Sequence, residues 1–354
     1  MTTLSGRRPP VKSRGHRPAP FWLVFALALA ALTAIVAVSF LVGRYAIDPW
    51  EAVRIMASRF IAMEHTWREL DAKVVWEVRW PRTLMAVLVG AALSCSGAVY
   101  QGVFRNPLVS PDILGVSAAA SFGAALAILL SGAFSPLVPS LAFGMGILGV
   151  LLAYALARVK GMTPTIMLVL SGVVVSSIFN AGVSIMKYLA DPEDDLPAIT
   201  FWLMGSLSGM RWENLAFAAP IIVVGLAVLM VITWQLNLLT MGDAEARSLG
   251  ANAQRTRLIA IVCATAMTAT AVSQSGAIGW VGLVIPHMAR ILVGPDHRKL
   301  VPIAAVLGAA FLLTIDSLTR TVSESSLPLS VPTALVGAPF FAILLRRSKG
   351  VWTR

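Results

Sequence analysis

Ten runs of mostly apolar residues follow one another along this 354-residue chain, separated by short polar segments. An α-helix needs about 20 apolar residues to cross the ~30 Å hydrocarbon layer of a membrane. The pattern predicts an all-α, polytopic membrane protein with about ten transmembrane helices in a single domain, 21–346. The runs cover 21–43, 83–104, 112–132, 136–157, 165–190, 214–239, 258–278, 279–293, 301–319 and 329–345, of which the eighth is short.

Composition excludes a soluble globule. The chain is 57% hydrophobic and 13% charged, whereas a soluble domain carries about 25% charged residues. Its formal charge of +11 comes mainly from the two tails and the short loops, and no basic stripe interleaved with aromatic residues indicates nucleic-acid binding. Cys95 and Cys263 both lie in apolar runs and form no disulfide or metal-ligand pattern.

The charges between the runs give the spans a direction. An even number of spans places both termini on one side, and both the tail 1–20 and the end 347–354 are basic. Cytoplasmic segments carry the excess of Lys and Arg, so both termini are predicted to be cytoplasmic. Alternation then places inside Arg105, Arg158, Lys160, Arg247, Arg255, Arg257, Arg290, Arg298 and Lys299, and outside Asp191, Glu193, Asp194 and Asp195.

Arg79 and Arg82 flank a Trp-Pro pair just before the second run. Basic residues at the mouth of a span normally mark its cytoplasmic end, but the alternation of spans puts these two outside. They belong to an external segment, 44–82, whose charges nearly balance and whose part 49–63 is predicted to form a short interfacial helix. Two arginines outside, against the local rule, call for a function other than orientation.

The chain has few groups that could carry chemistry. Asp316 precedes Arg320 by one helical turn in the ninth run, so the two are expected to pair near its outer end. No phosphate-binding loop, nucleophile elbow or zinc-binding helix motif occurs, and the four histidines share no metal-ligand spacing. These observations favour a protein that is not an enzyme and that binds no cofactor or metal.

Two predicted cytoplasmic segments differ from ordinary turns. The first, "GDAEARSLGANAQRTR" at 242–257, is polar, rich in helix formers and interrupted by Gly250. It is predicted to form two short helices under the membrane and to be a docking surface. The second, "RNPLVSPD" at 105–112, has two prolines that stop one helix and start the next, which a plain helical hairpin also requires.

Four motifs carry a resemblance to a known family. They are "RWPRTLMAVLVGAALSCSGAVYQGVFRNPLVSPDILGVS", "GDAEARSLGANAQRTR", "GAIGWVGLVIPHMARILVGPDHRKLVP" and "LPLSVPTALVGAPFFAILL". In order and spacing they resemble the FecCD-type permease subunits of type II ABC importers, which handle ferric siderophores, haem and cobalamin. The resemblance runs from Arg79 nearly to the C-terminus. In place of an acidic residue often found before the last span, this chain has Ser-Ser-Leu-Pro at 325–328.

The resemblance implies a ten-span subunit of the cell (inner) membrane that forms a homodimer around a central path. Two separate ATP-binding subunits, which hold the ATP and Mg, would bind below it, and a periplasmic or lipid-anchored substrate-binding protein would dock above. ATPase coupling is assigned to Gly242, Asp243, Ala246, Arg247, Leu249 and Gly250, binding-protein docking to Arg79, Arg82 and Arg320, and the inner gate to Asn106, Leu108 and Thr165.

The solute stays open at this stage. The resemblance favours an iron chelate (siderophore or haem) or cobalamin, and the same architecture also serves molybdate and tungstate importers. A secondary transporter driven by protons or sodium is the alternative of another class, with Asp316 as its acidic candidate. An intramembrane enzyme would need paired catalytic residues, which the sequence lacks.

Overall fold

A computed structural model describes residues 20–43, 45–59, 61–158, 163–322 and 327–348. The described residues do not include three parts of the chain: residues 1–19 of the predicted cytoplasmic tail, Lys160, and the residues from 349 onward. The helices are α1 (Phe21–Leu41), α2 (Pro49–Ala57), α3 (Glu69–Lys73), α4 (Trp80–Val103), α5 (Val116–Ser131), α6 (Leu137–Ala157), α7 (Thr165–Leu189), α8 (Asp195–Leu203), α9 (Trp212–Val231), α10 (Thr233–Met241), α11 (Asp243–Ser248), α12 (Ala253–Ser275), α13 (Val281–Val293), α14 (His297–Val322) and α15 (Ser330–Ser348).

The predicted spans are present in this all-α architecture. Seven helical segments are long and apolar enough to cross a membrane, and three shorter apolar helices, α5, α13 and α15, fall on three further predicted runs. The sixth predicted run is divided at Ile232 into α9 and α10. The predicted interfacial helix appears as α2, with Asp48 capping its first turn through hydrogen bonds from the amides of Trp50 and Glu51.

Helix α4 forms the centre of the bundle. A π-helical turn, Val74–Arg79, joins it to α3, so that one helical segment runs from Glu69 to Val103. Two glycines let α4 approach its neighbours: a Cβ at Gly90 would overlap the carbonyl oxygen of Gly308, and one at Gly97 would overlap that of Gly282. These contacts bring the backbones of α14 and α13 directly against α4, as small residues commonly do in membrane helices.

The segment between α4 and α5 returns into the bundle before α5 begins. It forms a single 3-10 turn, Pro111–Leu114, which ends at Gly115 in the left-handed region with φ 84°. Side chains at Gly282 or Gly172 would collide with this turn, at the ring of Pro111 and at the carbonyl of Ile113 respectively. The turn therefore packs against both α13 and α7.

The same contacts give the depth of the turn. The Cβ position of Gly282 that meets Pro111 also lies against the carbonyl oxygen of Leu93, which is ten residues before the end of α4, or about 15 Å along it. Gly172 lies seven residues inside α7, or about 10 Å. The 3-10 turn is thus 10–15 Å from the end of the bundle, which is well inside a hydrocarbon layer of about 30 Å.

Candidate docking and coupling sites

The two candidate sites lie at opposite ends of α4. The outer end of the bundle carries Arg79, Arg82 and Arg320, and the inner end carries segment 242–257. Arg82 and Arg105, at the two ends of α4, are separated by about 35 Å along the helix. The charges along the sequence predict that the outer end faces the outside of the cell and that the inner end faces the cytoplasm.

Arg79 lies behind the outer surface and not on it. The residue is 4% exposed, and its guanidinium donates to the carbonyl oxygens of Phe40 and, at 2.6 Å, Tyr45. Phe40 is in the last turn of α1 and Tyr45 lies four residues beyond its end, so Arg79 fastens the outer end of α1 to the start of α4. In this conformation its charged group does not reach a partner at the surface.

Arg82 and Arg320 share one carboxylate. Arg82 donates two hydrogen bonds to Asp316 Oδ1, 3.0 Å from Nε and 2.8 Å from Nη2, and Arg320 Nε lies 3.2 Å from Asp316 Oδ2. The predicted pair of Asp316 and Arg320 is confirmed. The Asp316 side chain is fully buried, and the two arginine side chains are 13% and 8% exposed. Two guanidiniums on one carboxylate leave this outer cluster of Arg82, Asp316 and Arg320 with a net positive charge.

A cavity of about 550 Å³ opens beside the outer cluster. Arg82 contributes to its wall, together with Glu77 from the π-helical turn and Arg211, Trp212 and Glu213 from the start of α9. The Trp212 indole donates a 2.9 Å hydrogen bond to the carbonyl of Trp76, which holds the two walls together. Of the three arginines predicted to dock a binding protein, Arg82 is the one that borders this cavity.

At the inner end, the predicted coupling segment is built around α11. Gly242, with φ 137°, precedes the helix, and Gly250, with φ 82°, follows it. The amides of Gly250 and Ala251 bond back to the carbonyls of Arg247 and Ala246, which is the Schellman arrangement that ends a helix at glycine. The predicted second short helix does not exist separately: residues from Ala253 onward are the first turns of the long α12.

The coupling segment has a buried side and an exposed side. Ala246 is fully buried, whereas Leu249 is 58% exposed and projects an apolar side chain at the end of α11. Arg247 is exposed and donates to the carbonyl oxygen of Asp243 at 3.0 Å. A short exposed helix with an apolar anchor has the shape that a groove on another protein can accept.

Asp243 is held by two arginines from other parts of the chain. Its carboxylate accepts from Arg105 at 2.8 Å and from Arg257 at 2.7 and 2.9 Å. Partial burial raises the pKa of this carboxyl, but the Arg257 hydrogen bond and the charges of Arg257, Arg105 and Arg247 outweigh it and hold the pKa below its usual value. The sequence predicts that Asp243 is a coupling residue, and the structure adds its two arginine partners.

Of the three predicted gate residues near the inner end, Asn106 and Leu108 contact each other, and Thr165 forms no hydrogen bond with either in the described part of the chain. Asn106 accepts a hydrogen bond from the amide of Leu108 at 2.9 Å, and Leu108 is 49% exposed. Thr165 is the first residue of α7 and is half-buried. Among the described residues no hydrogen bond joins Thr165 to either of the other two, so their role at a gate stays a prediction.

Asp112 is an acidic residue inside the bundle that is not among the predicted site residues. It lies in the 3-10 turn inside the bundle, where it accepts a hydrogen bond from Ser117. No lysine, arginine or histidine in the described part of the chain forms an ion pair with it. Its position at the start of an apolar run suggested the membrane surface, and only the packing of the turn reveals its depth.

Seven helical segments of membrane-spanning length and three shorter apolar helices in the described part of the chain, a positive cluster at one end and a short exposed helix at the other are the features of a transport permease that works with other subunits. Residues 30–347 match the FecCD transport family, and the chain belongs to this family. It is a multi-pass membrane permease subunit of an ABC importer and not the ATPase of that importer.

Relatives support the same class over nearly the whole chain. The molybdate import system permease protein MolB of Haemophilus influenzae is 37% identical over 92% of this chain and 96% of its own. The cobalamin import system permease protein BtuC of Halobacterium salinarum is 40% identical over 84% of this chain and 79% of its own. A solved structure assigned to a metal-chelate type ABC transporter, in an inward-facing conformation, is similar with a TM-score of 0.81, 35% identity and coverage of 92% and 99%.

Proposed function

We propose that two copies of this chain form the translocation path of an importer for an iron chelate (siderophore or haem) or cobalamin. Two ATP-binding subunits dock at the inner end, and a substrate-binding protein delivers the solute to the outer end. The observation that carries the proposal is the coupling segment: α11 is held rigidly at its base while Leu249 projects outward. A polar loop that merely joined two spans would need no such support.

Docking of the binding protein is proposed at the outer cluster and its cavity. Arginine keeps its charge and binds carboxylates through two parallel hydrogen bonds, so an acidic surface is the expected partner. Arg82 lies at the cavity wall, and Arg79 and Arg320 lie behind it and add positive charge to the same region. In this arrangement Arg82 makes direct contact and the other two act at short range.

One relative favours a second solute class. The molybdate permease of Haemophilus influenzae matches almost end to end, so import of molybdate or tungstate is the alternative on the same architecture. An oxyanion is small and strongly hydrated, whereas a siderophore, haem or cobalamin is bulky. The two classes are separated by uptake and not by the fold.

The test is uptake in proteoliposomes that contain the chain with its ATPase and its binding protein. We expect ATP-dependent accumulation of a labelled ferric siderophore, haem or cobalamin, and no competition by excess molybdate. Accumulation of molybdate alone would replace the proposed solute with the alternative. Uptake that needs no ATPase and follows an imposed proton gradient would overturn the importer assignment.

Arg82→Glu tests the docking site in the same vesicles. Because the new carboxylate also faces the buried Asp316, stimulation is compared only in complexes that assemble to the wild-type level. In these we expect the binding protein to lose most of its stimulation of ATP hydrolysis, because the reversed charge repels an acidic surface. Arg59→Glu is the control, since Arg59 is also external but lies away from the cavity, over the ring of Trp76. Equal stimulation of the wild type and Arg82→Glu would remove Arg82 from the docking site.

A further inference from the structure

The coupling helix α11 is poorly fixed by its own backbone. It has only six residues, Asp243–Ser248, and a glycine with positive φ stands at each end, Gly242 and Gly250. Backbone in this region is readily adopted by glycine alone and turns sharply there. Since the chain bends at both ends of the helix, the direction of α11 must be set by side-chain contacts.

Asp243 supplies those contacts in two directions. Arg257, one turn into α12, binds it from below with a side chain that is 8% exposed. Arg105, beyond the end of α4, binds it from the side and also donates from Nε to the carbonyl of Leu239 at 3.0 Å. The carboxylate therefore ties α11 to α12, to α10 and to the segment that follows α4.

Arg105 itself is held in an unusual conformation. It is one of two non-glycine residues with positive φ among the described residues, at φ 50°. A left-handed backbone costs a non-glycine residue about 1 kcal/mol or more and persists only when its surroundings enforce it. Here the backbone enforces it: the amides of Arg105 and Asn106 bond back to the carbonyls of Gly102 and Gln101, the Schellman arrangement that ends α4. This fixed backbone holds the Arg105 guanidinium against Asp243 and the Leu239 carbonyl.

Asn106 and Leu108 follow Arg105 directly and lead into the turn that re-enters the bundle at Pro111. A movement of α11 that carries Asp243 along would pull on Arg105 and hence on this segment. The same movement would pull on the foot of α12, which runs unbroken to Ser275. One carboxylate thus links the coupling helix to two elements that enter the membrane.

We propose that Arg105, Asp243 and Arg257 form a mechanical link that transmits displacement of α11 by the ATPase to the 105–115 segment and to α12. The inference rests on the proposed function and adds to it: docking is the work of the exposed side of α11, and transmission is the work of Asp243. Arg105 is a positioning residue in this scheme and touches neither ATP nor solute.

The test measures solute imported per ATP hydrolysed in the proteoliposomes described above, using the solute that the wild type carries. Arg105→Gln shortens the side chain and removes its charge, so that it no longer reaches Asp243, and Asp243→Asn removes the charge from the other partner. We expect Arg105→Gln, which lies outside the coupling segment, to assemble with the ATPase and hydrolyse ATP while import per ATP falls about tenfold, within the usual range of coupling between sites. Asp243→Asn should show at least the same fall in import per ATP. The double variant should be no worse than Asp243→Asn alone, because Asp243→Asn already breaks the ion pair that Arg105→Gln breaks.

Arg158→Gln is the matched control. Arg158 is likewise an exposed arginine at the inner end, just after α6, and it makes no ion pair in the described part of the chain. We expect its import per ATP to equal that of the wild type. Unchanged import per ATP in both Arg105→Gln and Asp243→Asn, with the complex intact, would overturn the link.

The two proposals fail in different ways. If the wild-type chain does not assemble with an ATPase, the proposed function is wrong and the link has nothing to transmit. If Asp243→Asn fails to assemble and Arg105→Gln does assemble, import per ATP in Arg105→Gln alone decides whether the link exists. That variant leaves the pair of Asp243 and Arg257 in place. A loss of ATPase binding in both variants would make Asp243 a docking residue and overturn its role in transmission.

Discussion

The two ends of the bundle contain the same ion-pair arrangement in different surroundings. At the outer end Asp316 lies between Arg82 and Arg320 and is fully buried. At the inner end Asp243 lies between Arg105 and Arg257, with a side chain that is 42% exposed. In each case one carboxylate joins arginines from two separate parts of the chain.

The difference in exposure decides what each arrangement can do. A buried ion pair cannot be opened without leaving a charge in a medium that solvates it poorly, so the outer cluster is a fixed joint between α4, α14 and the end of α1. A half-exposed pair exchanges its partners for water at little cost. The inner cluster can therefore change its geometry as α11 moves, while Arg257, with a side chain that is 8% exposed, keeps Asp243 attached to α12.

The largest effect is expected from Asp316→Ala. It leaves Arg82 and Arg320 without their shared carboxylate, and losing one partner of a buried pair costs about 3–5 kcal/mol. We expect a clearly lower unfolding temperature in detergent, or failure to insert. The control is Thr314→Ala on the same helix, an exposed residue that bonds only its own backbone turn. A small effect of Asp316→Ala would show that the outer cluster is as yielding as the inner one.

Gly97→Ala tests the rigid contact that lies between the two clusters. The added methyl group overlaps the Gly282 carbonyl, and overpacking of this kind costs about 1–3 kcal/mol. Gly144→Ala is the matched control, since no atom lies within 4 Å of its Cβ position. We expect a lower unfolding temperature for Gly97→Ala and an unchanged unfolding temperature for Gly144→Ala. Equal behaviour of the two would mean that α13 shifts freely against α4.

Asp243→Asn should affect stability far less than Asp316→Ala. For a pair this exposed the expected loss is below about 1 kcal/mol and shrinks as salt screens the charges. The measurement is the unfolding temperature of wild type and variant at low and high salt. A large, salt-independent loss would place the inner cluster in the same class as the outer one.

The smallest effect concerns pH. Because the pKa of Asp243 is held below its usual value, its ionised form stabilises the fold above the ordinary carboxyl pKa of about 4. The contribution is lost as the pH falls through the lowered pKa of the folded state. The difference in unfolding temperature between wild type and Asp243→Asn should thus be constant near neutral pH and vanish in acid. A difference that grows in acid would contradict the sign.

Patterns in the sequence predicted the structural features that depend on residues close together along the chain. The apolar runs gave the spans, and the spacing of Asp316 and Arg320 gave their pairing, because both depend on neighbours along one helix. Arg82 joins the same carboxylate from 234 residues away, and no periodicity reports such a contact. Arg79 was expected at the surface for its charge, whereas its nearest acceptors are the carbonyls at the end of α1.

The inner end shows the same limit. Gly242 and Gly250 indicated where α11 begins and ends, since glycine is the residue that adopts positive φ. The partners of Asp243 are Arg105, just after α4, and Arg257, one turn into α12, and only the folded bundle brings all three together. The depth of Asp112 was hidden for a related reason: a proline-flanked turn has the same sequence pattern whether it lies at the surface or inside.

The turn at Pro111–Leu114 has a consequence for how the chain is assembled in the membrane. A helix can enter lipid alone because it satisfies its own backbone groups, but a single 3-10 turn that follows an extended residue, Ser110, does not satisfy all of its own. The contacts that shelter it come from α7 and α13, which are synthesised later. The turn must therefore wait near the aqueous boundary while α4 and α5 insert, and enter only when its sheltering helices are present. Completion of this part of the core is consequently a late event, after most of the chain has been made.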